Sequence, residues 1–62
     1  MYEKYVALRD KKKLSDYKVS QMTGITKSTF TDWKNGKSKP KIDKLQKIAN
    51  YFGVEITYFL KD

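Results

Sequence analysis

The 62-residue chain contains no cysteine and no histidine. That double absence leaves a packed apolar core as its route to stability. Domains of this length bury only about 60% of the surface their unfolded chains expose, and many need a disulfide or a metal to stay folded. Neither thiolate nor imidazole is present to supply one. The missing imidazole also removes the commonest general base, so neither catalysis, nor a metal, nor a cofactor is expected. Apolar runs are short, far below the ~18 residues of a membrane span. The opening Met1-Tyr2-Glu3-Lys4 lacks the apolar centre of an export signal. These features predict one cytoplasmic domain over residues 1–62 with no membrane partner.

A core built without staples requires dense local packing, and the apolar residues recur at helical spacing throughout. A first helix is predicted from about Tyr2 to Lys12, with Met1, Tyr5 and Leu8 inward and Val6 flanking. Leu14 follows. Ser15 then caps a second helix near 16–23, which places Asp16 where the helix dipole favours an acid. This helix is expected to bury Val19 and Met22 and to stop at Gly24, the residue free to take positive φ. After Ile25, Thr26 starts a third helix near 27–34, with Phe30 and Trp33 inward, ending at Asn35-Gly36. A basic loop, Lys37-Ser38-Lys39-Pro40-Lys41, leads to a fourth helix near 41–52 with the inward stripe Ile42, Leu45, Ile48, Ala49 and Phe52. Gly53 ends it and Val54 anchors the turn. Ile56 to Leu60 form a short last helix that closes the core through Phe59 or Tyr58. The fold class is all-α, with five short helices.

Charge is distributed unevenly. The net charge is +7, and residues 9–41 account for all of it, with ten basic side chains against Asp10, Asp16 and Asp32. The flanking segments are balanced. A localised basic footprint with an isoelectric point near 9.7 favours a polyanionic partner.

The turn between helices two and three falls inside that footprint. Val19, Ser20, Gly24, Ile25, Phe30 and Trp33 stand where a helix-turn-helix requires a core residue, a small residue, glycine, an apolar turn residue and two core contacts. Adding Leu8-Arg9, Leu14-Ser15, Ser28-Thr29, Trp33 to Lys37, Pro40, Leu45, Ile48-Ala49 and Phe52-Gly53-Val54, the chain resembles the Cro/CI-type, or XRE-like, helix-turn-helix regulators. The likeness runs from about Tyr5 to Leu60. It implies a lambda-repressor-like domain with its helix-turn-helix at about 16–35, acting as a dimer on palindromic operators in double-stranded DNA to repress or activate transcription, here expected to be a repressor of phage or mobile-element type. It fits either a complete small regulator or the N-terminal domain of a longer one. Two other functions fit the same composition: an antitoxin or sensor-type regulator whose main partner is a protein, and a small basic RNA- or ribosome-associated protein. The latter usually shows stacking platforms or glycine loops, which are not evident here.

Two positions depart from the family pattern. Lys13 stands where members often carry glycine. Lys34 stands where many carry an acid that pairs with the arginine matching Arg9, so Arg9 is expected to turn to phosphate or to Asp32. The resemblance makes helix three the recognition helix, whose N-terminal residues reach base edges. Lys27, Ser28, Thr29 and Asp32 are therefore the base-reading candidates: lysine for guanine, hydroxyls for either kind of base, and the carboxylate for cytosine N4 or for orienting Lys27 or Arg9. Ser15, Lys18, Thr31, Asn35, Lys37, Lys39 and Lys41 are the phosphate-contacting candidates, Ser15 together with the amides that open helix two.

Overall fold

The computed structural model describes residues 1–61. It contains α1 (Tyr2–Lys11), α2 (Asp16–Thr23), α3 (Lys27–Lys34), α4 (Ile42–Phe52) and α5 (Thr57–Leu60), with no strand among the described residues. No helix among them is long and apolar enough to cross a membrane.

Local chemistry sets the boundaries. The chain leaves α1 through Lys13 at φ +56°, and the Lys13 and Leu14 amides donate back to the carbonyls of Asp10 and Arg9 at 3.0 and 2.9 Å. The Ser15 hydroxyl caps α2 by accepting from the Lys18 amide at 3.1 Å. Gly24, at φ +77°, stops α2 with its amide on the Ser20 carbonyl. The Ser20 hydroxyl donates across the turn to the Ile25 carbonyl, so serine here stitches the turn as well as fitting it. Thr26 occupies the cap position of α3, yet its hydroxyl bonds to those of Ser28 and Thr29 at 3.1 Å rather than to a backbone amide. Gly53 and the Val54 amide on the Ala49 carbonyl close α4.

The core is dominated by aromatic rings. Tyr5 of α1 stacks on Phe30 at 5.0 Å and on Trp33 at 5.4 Å, both from α3. Phe52 of α4 meets Tyr5 edge-on, and Phe59 of α5 meets Trp33 the same way. Such pairs contribute about 0.5–1.5 kcal/mol each beyond the area they bury. Val19, Ile25, Leu45, Ile48 and Ala49 fill the remaining space. Phe59 is the residue that closes the core, at 1% exposure, while Tyr58 stays on the surface under the Lys4 ammonium.

Two expectations about the core are corrected. Met22 is 55% exposed and Ile42 62% exposed. Both lie on the correct helical stripe, but Ile42 is the first residue of α4 and Met22 belongs to the last turn of α2. Both therefore sit at helix ends, where correct phase leaves them largely exposed.

Candidate nucleic-acid interface

Phe30 and Trp33 hold α3 to the body of the domain and so determine which of its side chains face outward. Lys27, Ser28 and Thr31 are exposed, while Thr29 and Asp32 are half-buried. Thr29 and Asp32 line one cleft with Ser38, Lys39 and Lys41 of the following loop. The third helix and the basic loop, adjacent in sequence only through Asn35-Gly36, therefore form one surface. Pro40 is buried at the base of that loop and pins it to the core.

The other candidates lie outside this cleft. Lys37, exposed beside the end of α3, opens onto a second cleft that Lys39 shares with Tyr2 and Trp33. Asn35 is exposed at the C-terminal cap of α3. Ser15 and Lys18 lie at the start of α2 and border neither cleft. The Ser15 oxygen already accepts the Lys18 amide, which leaves the hydroxyl proton and the amides of Asp16 and Tyr17 for an incoming anion. The Thr31 hydroxyl is spent on the Lys27 carbonyl at 3.3 Å.

Sequence reasoning assigned no role to Lys44, yet it lines the same cleft as Thr29 and Asp32. It was hidden in the charge-balanced C-terminal third. Its spacing from Lys41, three residues on at the start of α4, is the available signal, since i and i+3 share a helix face.

The expected partner of Arg9 is also corrected. Its guanidinium pairs with Asp16 at 2.9 Å and Asp10 at 3.0 Å, not with Asp32. The same Asp16 oxygen accepts the Tyr5 hydroxyl at 2.6 Å. Tyr5 is fully buried, so α1 is tied to the start of α2 from within the core. Burial pushes the Tyr5 hydroxyl pKa up, and the bond to Asp16 pushes it further. Burial works to raise the Asp16 carboxyl, but the bonds from Tyr5 and Arg9 and the charges of Arg9 and Lys27 outweigh it and hold the group below the usual carboxylate range. Asp32 has no ion-pair partner among the described residues.

Two helices joined at a glycine turn, the second presenting polar side chains beside a lysine-bearing loop, define a helix-turn-helix DNA-binding domain. The sequence matches the helix-turn-helix family over residues 7–59, and the chain belongs to that family. It is also similar to the cryptic phage CTXphi transcriptional repressor RstR of Vibrio cholerae, 29% identical over 55 residues, which is 89% of this chain. The chain spans half the length of that curated relative. No solved structure matches it significantly.

Proposed function

We propose that this protein is a sequence-specific repressor of phage or mobile-element type, acting in the cytoplasm as a homodimer on a palindromic operator. It works by binding alone, without catalysis or cofactor. The observation that carries this reading is the shared cleft. Thr29 and Asp32 of α3 stand within it beside Lys39 and Lys41, so groups suited to base edges and groups suited to phosphate lie on one surface. The likeness to a phage repressor supports the regulatory role. Lys27 and Ser28 extend the base-reading edge. Ser15, Lys18, Asn35, Lys37 and Lys39 with Lys41 serve the backbone on either side, and Thr31 joins them by turning its hydroxyl from the Lys27 carbonyl to phosphate.

The size of the module supports a dimer. One domain of this kind contributes an interface of roughly 600–1,000 Å², too little for tight specific binding, so two copies on half-sites about one helical turn apart are required. Tyr58 and Leu60 of α5, 37% and 49% exposed, supply apolar surface for that pairing.

A gel-shift comparison of duplex DNA, structured RNA and single strands at two salt concentrations tests the reading. Duplex preference with a steep salt dependence is expected. Selection of bound fragments from a random duplex pool is expected to return paired, inverted half-sites. Preference for structured RNA, or a fully specific complex of one protein per duplex, refutes it.

A further inference from the structure

The start of α2, where Ser15 and two free amides can meet a phosphate, also carries two carboxylates, Asp16 and the nearby Asp10, and one arginine covers both. Asp16 is the first residue of α2, next to the capping Ser15, with its side chain 25% exposed. Asp10 lies on the last turn of α1 at 62% exposure. Around them stand Lys11, Lys12, Lys13 and Lys18, all exposed, and Lys27, whose charge is felt at Asp16. Two bare carboxylates here would repel phosphate approaching the start of α2. In the structure neither is bare. Arg9 spans them, with Nη1 on Asp16 and both Nε and Nη2 on Asp10.

We propose that Arg9 is a positioning residue of the DNA-binding surface: by pairing with Asp10 and Asp16 together it masks two carboxylates that would otherwise oppose the phosphate backbone at the start of α2. The inference rests on the DNA-binding reading above. Arg9 touches no DNA in this scheme and acts through the charges it covers. Its guanidinium also lies over the Tyr5 ring, 5.8 Å from the centroid, which fixes the fork where both acids can reach it. The cluster of Arg9, Asp10 and Asp16 carries a net charge of minus one. Removing the guanidinium makes it minus two. Removing one carboxylate as well returns it to minus one.

Arg9→Gln is therefore expected to weaken binding to duplex DNA, and Arg9→Gln with Asp16→Asn to restore it. One unit charge about 10 Å from a phosphate, at an effective dielectric of about 40–80, changes affinity roughly two- to fourfold per phosphate, so a loss of about fivefold is expected. Asp16→Asn alone tightens binding by a similar factor. Arg9→Lys keeps the charge and retains affinity, even where the lost fork lowers the melting temperature. The penalty in Arg9→Gln shrinks as salt rises from about 0.05 to 0.2 M, since the screening length falls from about 14 to about 7 Å. A purely structural loss of affinity has no reason to fade in this way.

The probe is a random-sequence duplex, because phosphate contact does not depend on the operator. Affinities are compared at a temperature where circular dichroism shows every variant folded. Tyr5→Phe serves as the structural control: it removes a hydrogen bond to Asp16 without changing charge, and its duplex affinity is expected to match the parent's. Wild-type binding to the duplex tests the DNA-binding reading itself, and its absence overturns both. If the wild type binds, the masking role is overturned by Arg9→Gln matching Tyr5→Phe in affinity, or by a double variant no tighter than Arg9→Gln.

Discussion

Replacing Lys13 with glycine should stabilise the domain. Lys13 is held at φ +56°, in the left-handed region, by the two backbone bonds that close α1. An L-residue there costs about 1–2 kcal/mol relative to its preferred conformations. Glycine carries no such penalty but loses about 0.4–1 kcal/mol more backbone entropy on folding. The side chain contributes little to offset the strain, since Lys13 is exposed and its ammonium forms no ion pair among the described residues. The net gain for Lys13→Gly is about 0.5 kcal/mol. In a domain this small that raises the melting temperature by about 2–4 °C. Removing a lysine also relieves some repulsion in a strongly basic segment, and Lys13→Ala isolates that contribution, because alanine keeps the Cβ and the strain. Thermal unfolding followed by circular dichroism, on the parent and both variants in one buffer, reads the difference. Glycine no more stable than alanine would refute the reasoning.

Three further outcomes are expected. Lys39→Ala should weaken binding to all duplexes alike and reduce the salt slope by about one unit, while Lys27→Ala should lose preference at one base pair by roughly 1–3 kcal/mol; equal losses on specific and random duplex would remove Lys27 from base reading. Asp32→Asn, which deletes an unpaired carboxylate inside the reading cleft, should raise affinity for random duplex while lowering the specific-to-random ratio; an unchanged ratio, measured at one salt concentration, makes Asp32 a bystander. Because the Asp16 carboxyl is held below its unfolded value, its contribution to stability is complete above a pH of about 4 and is lost as pH falls through the lower folded value. Asp16→Asn should therefore flatten the acid limb of a stability-against-pH curve, and an acid limb that persists unchanged shows that other carboxylates dominate it.

The helices were legible because their punctuation is local. Ser15, Gly24 and Gly53 act within a few residues of themselves, and each does in the structure what its residue type suggests. Position on a helical stripe was a weaker guide near helix ends. Ile42 and Met22 have the correct phase for burial and fail because the neighbouring elements do not extend over them, which depends on helix lengths and crossing angles. The partner of Arg9 was out of reach for the same reason. Asp16 and Asp32 were both acids of the same basic stretch, and only the approach of α1 to the start of α2 chooses between them. Lys44 does not stand out in a charge-balanced C-terminal third, whereas the fold brings the start of α4 beside α3.

The lone tryptophan gives the molecule a built-in optical gauge. Trp33 lies on α3, 5% exposed, stacked on Tyr5 and edge-on to Tyr2 at 5.5 Å. Its indole emission therefore reports whether α3 is seated against α1, since unseating exposes the ring to water and shifts its emission to the red. Ultraviolet light can thus show, with no label attached, whether a variant that has lost its grip on nucleic acid has also lost its fold.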